Sequence, residues 1–306
     1  MDSAVRGSGG HLRFTDFSVF PSPRPNWVMV MLRAYFDDSG EEMDPQHKAC
    51  SLFGYAADGT KWPAFETAWQ AALDKAGMPY FHMKEFAHHC GPFAPFRDNE
   101  PARRLFIQDL GAAIGSADLQ GFGSIIRLAD LRKFNQERGL KINDYALNLY
   151  VSLVDIAETC GDDTADVLLD NATQRKMYKV VEIARSYVDT DPRWKGCDDR
   201  MTVAPLAKGI TFKEVLPIQA ADFIAWESRK DITDLDNWFD SYLGDKGTDE
   251  SLESWKQWAQ SNDRQFPYNR GSLAMLTETS NLNAHVWDYA ALCRIHEARN
   301  GSWPTP

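Results

Sequence analysis

Three aspartates in this sequence occupy positions where a buried carboxylate would need a partner. Asp37 follows an apolar run, Asp170 follows a second one, and Asp222 interrupts a third. A carboxylate at a buried border is unfavourable unless it is solvated, paired or bound to a cation. Hard cations take oxygen ligands, so the three acids together predict a carboxylate site for one or two Mg²⁺ or Mn²⁺ ions. Such a site could orient water and stabilise both oxygens of an in-line phosphoryl displacement.

Each of these acids also has an ordinary structural interpretation. The segment Asp37–Gly40 has the composition of a turn, because aspartate and Ser-Gly are common turn residues. Asp170 fits an acid that begins a helix, and Asp222 fits an ion-paired helix residue. A pair of acids that hydrolyses another bond, as in a glycosidase, needs both carboxylates in one cleft. Nothing in the spacing selects that chemistry.

Further side chains could assist the three acids. Asp38 can join Asp37 as a metal ligand only if the strand has already broken into the turn, because successive strand residues point to opposite faces. His82 and Glu85 share a face if the chain turns helical there, and we predict them as auxiliary ligands or proton-transfer groups. A polar helix start explains this pair as well. Gln219 lies three positions before Asp222 and shares its face, whereas Glu227, about 140° away, is a weaker candidate.

The elements that must position these residues alternate between strand and helix patterns. A first strand is predicted where the apolar run 27–32 leads into 33–36 and ends at Asp37. Four later strands are predicted over 50–57, 119–127, 166–171 and 201–207. The first two adjoin without an intervening helix and predict a hairpin. A sheet with both antiparallel and parallel strands, flanked by helices, follows from this order.

Apolar residues at helical spacing predict five main helices. Gly77 is the expected C-cap of the first, and the third has Tyr145 on its apolar face. Pro217 suits the first turn of the last one, whose small residues allow close packing on a sheet. The predicted helices cover residues 62–76, 100–117, 142–159, 175–188 and 214–226.

Composition bounds the class of protein. The chain has 306 residues, of which 43% are hydrophobic and 25% charged, and a net charge of −11. No apolar run approaches the roughly 20 residues of a membrane span, and no signal-peptide layout is present, so we expect a soluble cytoplasmic protein without a membrane partner. The five cysteines contain no CxxC pair, which argues against a zinc knuckle or a disulfide framework.

Composition also divides the chain into three parts. Residues 1–26 are rich in Gly, Ser and Pro and predict a flexible arm, residues 27–230 form the main domain, and residues 231–306 predict a helical acidic extension. An acidic protein does not attract a phosphate backbone through its overall field. Three local cations after Asp170 could still meet nucleic acid, although a solvated helix face explains them equally well: Arg175, Lys176 and Lys179.

Several of these segments resemble one family. The segment Tyr35–Gly40 resembles the Y-[ILF]-D-E-S-G signature of a bacterial group known as domain of unknown function 3800, and 216–225 resembles its L-Q-x-A-D-hydrophobic signature. Phe81–Glu85 and Val167–Asp170 are similar to its central segments. The resemblance covers about residues 30–230. Asp38 replaces the usual Glu, and Pro217-Ile218 is inserted before Gln219.

The resemblance implies an α/β fold of the ribonuclease H-like type, with a mixed five-stranded sheet flanked by helices, and composition adds the helical C-terminal appendage to it. With the three acids on such a fold, our first hypothesis is a metal-dependent phosphodiesterase, most simply a nuclease acting on RNA or DNA with Mg²⁺ or Mn²⁺. The alternative is a non-catalytic interaction or regulatory module of the same fold, which the acidic net charge favours. The expected catalytic residues are Asp37, Asp170, Asp222, His82 and Glu85, and the expected metal ligands are Asp37, Asp38, Asp170 and Asp222.

Overall fold

The structure is a computed structural model that describes most of the chain after the predicted N-terminal arm. Residues 1–26, the predicted arm, lie outside the described residues. No helix in the described part is both long and apolar enough to cross a membrane. The described residues are 32–40, 47–161, 163–170, 174–190, 200–246, 276, 282–301 and 303, with the backbone alone for 174–178 and 235–246.

A six-stranded mixed sheet forms the centre, with strand order β5-β4-β1-β2-β3-β6. β2 runs antiparallel to both of its neighbours, β1 and β3, whereas the other neighbouring pairs are parallel. The predicted hairpin and the mixed sheet are therefore confirmed. The strands are β1 (Leu32–Ser39), β2 (Ala49–Asp58), β3 (Gln120–Arg127), β4 (Ala165–Leu169), β5 (Met201–Pro205) and β6 (Asn283–Trp287).

Helices cover both faces of the sheet. Gly77 ends the first of them in the left-handed conformation, as its position predicts. The helices are α1 (Trp62–Ala76), α2 (Met83–Ala87), α3 (Glu100–Ser116), α4 (Leu128–Arg138), α5 (Asp144–Cys160), α6 (Gln174–Asp189), α7 (Leu216–Lys246) and α8 (Tyr289–Ala298). One face of the sheet packs against α4, α5, α6 and α8, and the other packs against α1, α3 and α7.

The C-terminal part differs from the predicted helical extension. Helix α7 runs without a break through the expected boundary at residue 230. The chain later returns to the sheet as β6, which pairs in parallel with β3. The segment Asn283–Trp287 contains a single β-branched residue, so its strand conformation comes from pairing with the exposed edge of β3 rather than from its own propensity. The sheet therefore has one strand more than the five expected.

A buried histidine connects this added strand to the helix beneath it. His285 Nε2 lies 2.9 Å from Asp155 Oδ2 of α5, and the two side chains are 10% and 6% exposed. Burial lowers the pKa of His285, but the hydrogen bond and charge of Asp155 outweigh it and raise that pKa above its ordinary value. The protonated form is therefore the one that the fold favours.

We expect the contribution of this pair to the free energy of unfolding to depend on pH. A histidine pKa that is higher in the folded state adds stability below about pH 6.5, and this is lost as pH rises through the folded pKa. Asp155→Asn should cost about 1–3 kcal/mol at pH 6 and clearly less at pH 8.5, in urea titrations. The exposed Asp74→Asn is the control, and an equal cost of Asp155→Asn at both pH values would contradict the prediction.

Candidate functional site

Two of the predicted acids lie side by side at the carboxyl ends of parallel strands. The N–H of Asp170 donates to the carbonyl oxygen of Phe36 at 3.0 Å, which continues the pairing of β4 with β1 by one residue. Asp170 is therefore the cross-strand neighbour of Asp37. Both residues are half-buried, and a third acid reaches the same edge from helix α7.

Electrostatics shows that the three acids interact. Burial first, and then the charges of Asp222, Asp38 and Asp170, raise the pKa of Asp37 well above its usual range. Burial also raises the pKa of Asp222 to about 6, although the charge of His82 and a hydrogen bond from Met83 oppose this shift. Segments 37, 170 and 222 are distant in sequence, so the fold has brought the three carboxylates into one negative cluster.

The carboxylates do not form a closed ligand set in their present rotamers. Among the described residues, no three His, Cys, Asp or Glu side chains are grouped so that they could hold a metal ion. Asp222 Oδ2 accepts from the N–H of Met83 at 2.5 Å, and Asp37 Oδ1 accepts from the N–H of Asp38 at 2.8 Å. Bound cations would have to draw the remaining oxygens together by side-chain rotation.

Basic side chains do not neutralise Asp37 or Asp222. Within the described ranges, neither Asp37 nor Asp222 forms an ion pair with lysine or arginine. The alternative interpretation of Asp222 as an ion-paired helix residue is therefore not supported. Asp222 has its hydrogen bond from the backbone instead, at the first residue of α2.

Asp38 lies on the other side of the strand from Asp37. β1 stays extended and paired with β2 as far as Ser39, so the strand has not broken at Asp38. Ser39 accepts from Arg229 of α7, while Phe36 packs in the core cluster with α5 and α6. Alternation then directs Asp37 towards α7 and Asp38 towards α5. The condition under which Asp38 would share a cation with Asp37 is not met by the backbone.

Gln219 fixes the segment that leads to His82. Its Oε1 accepts from the N–H of Phe81 at 2.9 Å and from Trp69 Nε1 at 3.1 Å. Its Nε2 donates to the carbonyl oxygens of Phe212 and Lys213 at 3.2 and 3.1 Å. The amide is fully buried with both ends in use, so it holds two loops beside Asp222 rather than binding a ligand.

His82 and Glu85 lie together, and the charges of both act on Asp222. His82 precedes α2, and its Nδ1 is 3.3 Å from Glu85 Oε1, an ion-pair distance without hydrogen-bond alignment. Tyr80 donates to the other oxygen of Glu85 at 2.7 Å, and the His82 ring packs on Phe212. Burial raises the pKa of Glu85, but the Tyr80 and His82 contacts outweigh it and leave that pKa below its ordinary value. Glu85 is thereby held as a carboxylate.

The remaining sequence candidates lie away from this cluster or outside the described side chains. Glu227 is fully buried, and the charges that act on it come from Asp231, Lys230, Arg103 and Asp234 rather than from the site acids. Lys179 is exposed on α6. The side chains of Arg175 and Lys176 lie outside the described part of the chain.

Tyr145, in the first turn of α5, is a site residue that sequence reasoning missed. The charges of Asp38, Asp37 and Asp170 all act on its hydroxyl. That hydroxyl is buried and has no hydrogen-bond partner among the described residues. The sequence places Tyr145 only on the apolar face of a helix, because no local signal tells which end of the sheet that face meets.

The turn after β1 requires glycine. Gly40 has φ of +88°, and a Cβ there would lie 2.5 Å from the carbonyl oxygen of Ala49 and 2.7 Å from Arg229 Cδ. The positive φ disfavours L-residues, and the backbone oxygen cannot move away as a flexible side chain would. Gly40 thus sets the end of the strand that carries Asp37.

In comparisons with known proteins, no family model matches the chain, and no curated protein sequence matches it. The resemblance of its motifs to domain of unknown function 3800 stays a prediction.

We predict that Gly40→Ala destabilises the protein more than a glycine change with the same kind of φ in open space. Gly139, at φ +63°, is the matched control, because a Cβ added there would have no atom within 4 Å. Gly139→Ala should cost about 1 kcal/mol from backbone strain alone, and Gly40→Ala about 2–4 kcal/mol. Equal losses in urea titrations would show that the close approach at Gly40 does not constrain the turn.

We also predict that Asp222→Asn stabilises the metal-free protein. A carboxylate pKa that is higher in the folded state favours folding at low pH, and this advantage is lost between about pH 4 and pH 6. Asparagine keeps the acceptor for Met83 without the charge. In EDTA the variant should exceed the wild type by about 1–3 kcal/mol at pH 8 and by much less at pH 4. A variant that is less stable at pH 8 would contradict the assigned cost of burying the Asp222 charge.

Proposed function

We propose that this protein is a divalent-metal-dependent phosphodiesterase with a ribonuclease H-like fold, acting as a nuclease on RNA or DNA. The observation that carries the proposal is the convergence of Asp37, Asp170 and Asp222 on one edge of the sheet, where Asp222 and Asp170 raise the cost of ionising Asp37 and Asp170 raises that of Asp222. Buried like charges are unfavourable when they stand together, and a divalent cation is the simplest ligand that makes them favourable.

The strand order supports the fold assignment. Five contiguous strands, β3-β2-β1-β4-β5, form a mixed sheet in which β2 alone is antiparallel. The acids stand on the first strand, just after a middle strand and on a late helix, which is the placement that the sequence resemblance implies. β6 extends this sheet beyond β3 and lies far from the acids in strand order.

The chemistry of the donor set fits Mg²⁺ or Mn²⁺. Asp37, Asp170 and Asp222 supply carboxylate oxygens, the ligands that these ions prefer. Bound there, a cation would supply an activated water and would neutralise charge on the phosphate. Asp38 faces α5 and is therefore placed to bind water or substrate rather than to share a cation with Asp37.

His82 and Glu85 are placed to move a proton beside Asp222. The imidazole is 27% exposed and borders the carboxylate of Glu85, so it can exchange protons with solvent. Glu85 is held ionised by Tyr80 and His82, and it can orient the imidazole. We therefore assign His82 as the proton-transfer group and Glu85 as its positioning residue.

Calorimetry with Mg²⁺ and Mn²⁺ tests the metal site directly. The wild type should bind, and a ligand at 100 times its Kd should add about 2.7 kcal/mol to the free energy of unfolding. Asp37→Asn and Asp222→Asn should lose this gain. Asp166→Asn, on the strand that leads to Asp170, is the matched control and should keep it.

Cleavage of labelled single-stranded and duplex DNA and RNA tests the activity. We expect cleavage that needs the metal and falls at least about 100-fold in Asp37→Asn, Asp170→Asn and Asp222→Asn. His82→Gln should reduce turnover by about 10²–10⁴-fold. Metal binding without cleavage of any of these substrates would overturn the nuclease and favour a non-catalytic module. Absence of metal binding by the wild type would overturn the metal site itself.

A further inference from the structure

The Tyr145 side chain extends the carboxylate site to the α5 face of the sheet. Its ring packs against the core cluster that contains Phe36 and α5, while its hydroxyl lies in the field of Asp38, Asp37 and Asp170. Asp222, by contrast, approaches from α7 on the other face. The site is thus bordered by side chains from both faces of the sheet.

The hydroxyl of Tyr145 is placed for an acceptor that the described residues do not provide. It is buried without a hydrogen-bond partner, although three carboxylates lie near enough to act on it. A buried donor without an acceptor destabilises the folded protein, so a position that keeps one needs a compensating role. Phenylalanine would fill the same packing position without this cost.

The surroundings define the chemistry of the missing acceptor. Neighbouring carboxylates disfavour the phenolate, so the phenol acts as a donor of its proton in a hydrogen bond. An anionic oxygen is the strongest acceptor for it. Carboxylates repel a phosphate group. Binding of phosphate here therefore requires a cation together with neutral hydrogen-bond donors such as this hydroxyl.

We propose that the Tyr145 hydroxyl donates a hydrogen bond to a phosphate oxygen of the substrate, on the α5 side of the carboxylate site. This inference rests on the proposed function, since it requires a cation among the acids. It assigns Tyr145 to substrate binding, and it assigns the α5 face of the strand end to the phosphate rather than to the proton-transfer pair, which lies beside Asp222.

Calorimetry with two probes tests the assignment: Mg²⁺ alone, and then inorganic phosphate in the presence of saturating Mg²⁺. Tyr145→Phe should leave the Kd for Mg²⁺ within about twofold and weaken phosphate binding about 10- to 100-fold, the loss expected for one hydrogen bond to a charged group. The metal-free variant should unfold at the same or a higher temperature than the wild type, because a buried unsatisfied donor has been removed.

Tyr289→Phe is the matched control. Its hydroxyl contacts Glu137 where α8 meets α4, away from the acids, and its removal should change neither Kd. Unchanged phosphate binding in Tyr145→Phe would overturn the inference. An equal loss of Mg²⁺ affinity would also overturn it, because the hydroxyl would then act on the hydrated cation. Failure of the wild type to bind Mg²⁺ would overturn the proposed function and this inference together. The wild-type titration alone reveals this outcome, so it is distinguished from a failure that appears only in Tyr145→Phe.

Discussion

The cost of burying carboxylates beside one another is the constraint on which the rest of this structure depends. β4 ends opposite Phe36 of β1, so Asp170 and Asp37 are neighbours in the sheet, and the charge of Asp222 on α7 acts at the same place. Ionising all three in a partly buried position is unfavourable. The rest of the fold must supply the free energy that keeps them there.

Hydrophobic packing supplies much of that free energy. Phe81 contacts five aromatic rings from α1, α2, α3, α7 and the loop before α3, which fixes the backbone one residue before His82. Gln219 adds four hydrogen bonds to the same region. Ser51 of β2 donates to the carbonyl oxygen of Ala225 at 2.8 Å, which fastens α7 to the sheet. The site is therefore rigid at its edges, as a preorganised site needs to be.

The Gln219 and Asp222 pair shows how one helix divides its roles. The two side chains lie on the same face of α7 and both hold backbone N–H groups of the segment 81–83. The neutral amide satisfies all of its bonding capacity within the protein, whereas the acid retains its charge in the cluster. Two residues three positions apart on one helix thus position both the loop 81–83 and the carboxylate beside it.

The sequence by itself determined many of the secondary-structure elements and the chemical type of the candidate site residues. Apolar periodicity and turn residues predicted β2, α1, α3 and the mixed sheet. Acids that follow or interrupt apolar runs made Asp37, Asp170 and Asp222 the candidate site residues. Local patterns did not predict β6, because an edge strand with weak propensity gains its conformation from β3. They also did not separate Asp37 from Asp38 or find Tyr145. Only the tertiary structure decided those, because strand alternation and helix docking determine which side chains face one another across a sheet.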